Sequence, residues 1–222
     1  MKWPWRRPVS RNDMLAGPDS QLVEDGLALV RQEAWESISP GFYPREEVKA
    51  VIVELVHYDP DLQVTEAQAA EIVDQLWTKR LDELAAGSSR HPTDDQRVET
   101  AFIRLKESGI VASMNLGADR GDAIHESELL VAESNVGLGY VYFHSQDANR
   151  LAYPNATLYI GFDAVIDDPD ARDSAALDVA RRTVAELESQ GLTVEWNGSI
   201  ESRIALKSID WRRPLPTLSS GS

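Results

Sequence analysis

Apolar residues recur every three to four positions through the first half of the chain. Through much of the second half they cluster in short alternating or β-branched runs. The pattern therefore predicts helices first and a sheet afterwards. A first helix over 20–38 carries Val23, Leu27, Val30, Ala34 and Ile38 on one face, and Pro40-Gly41 stops it. A second begins near Pro44, with Glu46 and Glu47 in its first turn, where the macrodipole favours acids. Its predicted buried stripe is Val48, Val51, Ile52, Leu55 and Val56, and Asp59-Pro60-Asp61 ends it.

The third helix opens on a capping box, Thr65-x-x-Gln68, and Gly87 supplies its stop. Ala69, Ile72, Val73, Leu76, Leu81 and Leu84 form its apolar stripe around Trp77. A second capping box, Thr93-x-x-Gln96, opens a fourth helix carrying Val98, Ala101, Phe102 and Leu105, which Gly109 closes. The polar stretch 86–95 between them reads as an internal joint.

After Gly109 the period changes. Strands are predicted over 110–116, 139–144, 157–165, 192–196 and 202–206, with helices over 122–134 and 169–190. Asn197-Gly198 between the last two strands is a hairpin signal, because both turn residues would take positive φ. The order β-α-β-β-α-β plus a hairpin strand places the chain in the α+β class. It fits the split βαβ, ferredoxin-like plan, an antiparallel sheet with helices on one face. The expected organisation is a flexible basic arm over 1–18, a four-helix region over 19–108, the ferredoxin-like domain over 109–213 and a disordered tail over 214–222.

Charge narrows the partners. With 37 acidic against 22 basic residues the formal net charge is −15. Such a body repels a phosphate backbone and suits a basic protein partner better than nucleic acid. No apolar run approaches the roughly 18 to 20 residues of a spanning helix, so no membrane association is expected. Zero cysteines exclude disulfides, thiolate metal sites and a cysteine nucleophile, which fits a reducing, cytoplasmic setting. Trp5-Arg6-Arg7-Pro8 recurs as Trp211-Arg212-Arg213-Pro214. Each is either a small interaction peptide or a tail that lies against the acidic body or stays mobile.

Gly-Tyr-Val-Tyr-Phe-His-Ser-Gln-Asp at 139–147, Leu-Tyr-Ile-Gly-Phe at 158–162, Gly-Leu-Thr-Val-Glu-Trp-Asn-Gly-Ser at 191–199 and Arg-Ile-Ala-Leu at 203–206 with Trp211 together resemble a bacterial family known only as a domain of unknown function. The resemblance covers about 110–213 and implies no activity. More distantly, the helix running into Leu192-Thr193-Val194-Glu195-Trp196-Asn197-Gly198 is similar to the regulator of ribonuclease activity B family of acidic inhibitors. That likeness implies a protein-binding role.

The strongest chemical candidate is His144-x-Gln146-Asp147 at a strand end. His144 could act as a base oriented by Asp147, or both could ligate a metal. In the plainer alternative Asp147 N-caps the turn that follows, while His144 makes one buried hydrogen bond. Alternation places Tyr140, Tyr142 and His144 on one sheet face and Val141 and Phe143 on the other, the core face. The tyrosine face could stack bases if open, but cover by the N-terminal helices is the more economical arrangement. Tyr159 and Trp196 join the aromatic set, and Arg203 from the hairpin could anchor an anion.

His125-Glu126-x-Glu128 lacks the second histidine of a zinc helix, and Gly117–Asp122 lacks any dinucleotide or P-loop pattern. The acidic run Asp163, Asp167, Asp168, Asp170 and Asp173 lacks the order of a calcium loop. No metal and no cofactor are expected. The reading favoured is a non-enzymatic protein-binding or regulatory module of inhibitor or immunity type. The alternatives are a small enzyme or ligand-binding domain using His144, Gln146 and Asp147, with Arg203 as anchor, and a structural domain of a larger assembly.

Overall fold

The computed structural model describes residues 18–87, 92–134, 139–166 and 168–217. The expected arm falls outside these residues except at Pro18, as does the first Trp-Arg-Arg-Pro. Helices α1 (Pro18–Ile38), α2 (Arg45–Tyr58) and α3 (Glu66–Ala86) share one apolar core, to which Val30, Ile38, Ile52, Ile72 and Trp77 contribute. The capping box of α3 forms as its spacing requires. The Thr65 N–H donates to Gln68 Oε1 at 2.9 Å and the Gln68 N–H donates to Thr65 Oγ1 at 3.2 Å. Two side chains of the predicted stripes are instead exposed: Val51 at 54% and Leu81 at 49%.

Helix α4 (Asp94–Glu107) departs from the expected four-helix region. Its face of Val98, Ala101, Phe102 and Leu105 packs on the sheet, in one core with Val141, Phe143, Leu158, Ile160, Ile204 and Leu206. Each fully buried Val, Leu or Phe of that face contributes about 1.5–3 kcal/mol. Helix α7 (Pro169–Ser189) covers the same sheet face with Val179, Ala180 and Leu187.

The sheet holds β1 (Ile110–Ser113), β2 (Gly139–Tyr142), β3 (Ala156–Asp163), β4 (Val194–Glu195) and β5 (Ile204–Ile209), in the order β1-β2-β3-β5-β4. This corrects the ferredoxin-like expectation. A split βαβ would put β3 between β1 and β2, yet β1 and β2 are directly paired and parallel, Ile110 opposite Gly139. Their crossover helix α5 (Arg120–Ser134) lies on the face opposite α4 and α7, packing Ala123 and Val131 over Tyr140 and Tyr142. Helices thus cover both faces rather than one. The sheet is mixed, since the remaining pairs are antiparallel.

The β4–β5 hairpin forms, but with a longer loop than a two-residue turn. Gly198 takes φ +79° while Asn197 does not share the left-handed conformation. Instead the Trp196 indole N–H donates to the carbonyls of Ser199 and Ser202, each at 3.1 Å, and closes the loop.

The second Trp-Arg-Arg-Pro joins the two cores. Trp211 is buried, donates from its indole to Pro40 O at 2.9 Å and meets Phe42 and Phe143 at ring distances of 6.1 and 6.2 Å. Arg80 donates to Trp211 O at 3.1 Å, and Arg213 lies over the Phe42 ring. Leu215, expected in a disordered tail, is buried in the helical core; residues 218–222 lie outside the described residues.

Candidate functional site

Past β2 the chain leaves the paired strand opposite a bend at residues 114–115. Phe143 still bonds with both sides of that bend, its N–H to Ser113 O at 3.3 Å and its carbonyl from the Leu116 N–H at 3.0 Å. A short helix that the sequence pattern did not separate from the loop then begins, α6 (Ser145–Asn149). Five residues are too few to show a helical period. His144, not Asp147, is its N-cap: Nδ1 accepts from the Asp147 N–H at 3.3 Å.

That bond fixes the imidazole. With Nδ1 an acceptor, the neutral ring carries its proton on Nε2, which donates to Asp147 Oδ2 at 3.0 Å. Arg203 Nη1 donates to the same oxygen at 2.6 Å, and Arg150 Nη1 to Oδ1 at 3.1 Å. Arg203 Nη1 also comes within 3.5 Å of His144 Nε2, a contact between two donors and not a further bond. The Asp147 side chain is fully buried and that of His144 is 6% exposed. Burial holds the His144 pKa below the ordinary imidazole value of 6.5; Asp147 opposes this, and Arg203 and Arg150 add to it. His144 and Asp147 therefore converge with Arg203, as the alternative reading required, but each polar atom is committed within the cluster. Nothing of the imidazole is left to take a substrate proton.

Gln146 does not join them. One residue round the helix, it is exposed and lines a cleft of about 400 Å³ between α2 and α6. The cleft walls are Val48 and Val51 from α2, Tyr43 and Glu47 at its start, and Ser145, Gln146 and Asn149. Tyr43 and Ser145 share a hydrogen bond at 2.8 Å between their hydroxyls, and Ser145 donates to Gly117 O at 2.9 Å, so this side of α6 is held at a set distance from the helical region. Trp35 adds a second tie, its indole donating to Ala152 O at 3.1 Å.

The aromatic candidates divide in the same way. Tyr140 and Tyr142 are buried beneath α5, which corrects the expectation of an open or N-terminally capped face and removes both from any base-stacking role. The Tyr142 hydroxyl pKa is raised by burial, with Arg120 beside it pulling the other way. Gly161 is required opposite Tyr142, since a Cβ there would lie 2.5 Å from Tyr142 Cζ. Trp196 is half-buried, edge-on to Phe162 at 5.7 Å. Arg203 lies over Tyr159, 4.9 Å from the ring centre, and Arg150 sits 5.4 Å from it.

Arg150 and Tyr43 belong to these surroundings and were not singled out from the sequence, Glu47 was read only as a first-turn acid, and Tyr159 comes from the aromatic set. Arg150 is legible from its three-residue spacing to Asp147. Tyr43 and Glu47 are about a hundred residues from α6, and nothing local announces them.

Among the described residues no group of three or more His, Asp or Glu side chains is placed to hold a metal ion. His57 pairs with Glu66 at 3.0 Å on the surface, and His125 is exposed on α5. Among the described residues no helix is long and apolar enough to cross a membrane.

A family model described as "Domain of unknown function (DUF6891)" matches residues 24–215, taking in the helical region as well as the C-terminal half. No curated protein and no solved structure matches the chain.

Proposed function

We propose that this chain, which belongs to the DUF6891 family, is a non-enzymatic protein-binding module of regulatory type, and that it reads a basic partner at the cleft between α2 and α6. The observation that carries the reading is the division of α6. His144 and Asp147 have their polar atoms committed to one another and to two arginines, while Gln146 and Asn149 open onto a cleft of ligand-binding size. The cleft suits a lysine or arginine side chain. Val48 and Val51 offer apolar wall for the methylene stem, and Glu47 with the Gln146 and Asn149 amides offers acceptors for its head. The net charge of −15 would steer such a partner toward the molecule.

The test is capture from a native lysate by tagged protein and by two variants. One basic protein recovered near one-to-one, released by high salt, lost with Val51→Arg and kept with His144→Asn, is the expected result. Loss with His144→Asn while Val51→Arg still binds would overturn the assignment to the cleft.

A further inference from the structure

On the other side of β2, between α5, β3 and the loop before β5, lies a small polar cavity of about 40 Å³. Its floor contains the one feature of the tyrosine pair that packing does not explain. Tyr140 is fully buried, lines this cavity, and its hydroxyl has no hydrogen-bond partner. A buried hydroxyl left unpaired is costly, and such a group in a native fold points to a molecule that pairs with it. Around it the cavity is lined by Tyr142, Ser202 and the guanidinium-bearing Arg120 and Arg203, the last with its Nη1 held by Asp147. Asp163 also lines it, but its carboxylate is taken by Arg172, at 3.1 and 2.6 Å, and by the Ala164 N–H at 2.7 Å. Glu201, exposed at the wall, and the charges of Asp163 and Glu128 oppose an anion here.

We infer that this cavity binds a small carboxylate, of the size of formate, through the Tyr140 hydroxyl and the two arginines. The lining is rich in donors, the Asp163 carboxylate in it is already paired, and Tyr140, whose buried hydroxyl is unpaired, belongs to that lining. Size sets the rest: a water needs about 10–15 Å³ of such volume, so the cavity takes about three non-hydrogen atoms and excludes an aromatic acid. The site is separate from the α2–α6 cleft and does not depend on the partner reading.

The experiment is thermal unfolding of the full chain in sodium formate, with sodium chloride and sodium benzoate at equal ionic strength as controls. Formate is expected to raise the wild-type midpoint by about 2–4 °C once it exceeds its dissociation constant about fivefold, with chloride and benzoate giving no such rise. Tyr140→Phe, which keeps the buried ring, should unfold at or above the wild-type temperature without formate and lose the formate response. Glu201→Gln should enlarge that response. An equal formate response in Tyr140→Phe would overturn the inference, as would a wild-type response to formate no larger than to chloride, which is the outcome if waters alone fill the cavity. Partner capture by Tyr140→Phe should match wild type, so failure of this site and failure of the cleft are told apart.

Discussion

The two sides of α6 carry similar polar residues in different surroundings. Facing the sheet, both ring nitrogens of His144 and both carboxylate oxygens of Asp147 are paired, the latter with one nitrogen each of Arg203 and Arg150. Facing α2, Gln146 and Asn149 line a space shared with exposed Val51 and Glu47. Histidine beside aspartate is the more suggestive pair on paper. What separates the two sides is how many of their hydrogen-bonding atoms are already used. Residue type does not decide it.

The comparison breaks first at Asp147. Asp147→Ala removes a fully buried carboxylate and leaves Arg203 facing an empty space, so a loss of about 3–5 kcal/mol in urea unfolding is expected. A loss under about 1 kcal/mol would mean the cluster does not hold the fold. His144→Ala removes the cap and the Nε2 bond together and should cost about 1–3 kcal/mol. His144→Asn, whose side-chain oxygen can replace the cap, should recover part of that.

His144 also gives the comparison a pH dependence. Its folded pKa is depressed by burial below the unfolded value near 6.5, so the unfolded chain binds the extra proton between the two values. The contribution to stability is then full above about pH 6.5 and is lost as pH falls from there through the folded midpoint. Urea midpoints measured across this window should rise with pH in wild type and rise less steeply in His144→Asn. The smallest effect belongs to the cleft: Gln146→Ala, at an exposed position, should change stability by less than about 0.5 kcal/mol while weakening partner capture.

The helices were legible because their signals are local. The third helix's Thr65 and Gln68 announced its start three residues apart, and the structure closes that box as read. The sheet order was not legible, because β-α-β-β-α-β describes both a split βαβ and a directly paired one. Only the pairing of Ile110 with Gly139, across a crossover helix on the tyrosine face, separates them. Within the candidate site, His144, Asp147 and Arg203 were found from one strand end and one hairpin. That Gln146 would turn away followed from α6, whose five residues leave no periodic trace. The cleft opposite it required Tyr43 and Glu47 to arrive from the helical region, through contacts such as Tyr43 to Ser145 that no local pattern encodes.

The state of the His144 ring tests the central claim most directly, by nitrogen-resolved NMR of the imidazole as it is titrated. The closed cluster predicts a neutral ring protonated on Nε2, with Nδ1 hydrogen-bonded and a midpoint below 6.5. A ring protonated on Nδ1, or a midpoint above 6.5, would contradict it and return His144 to the set of groups free for chemistry.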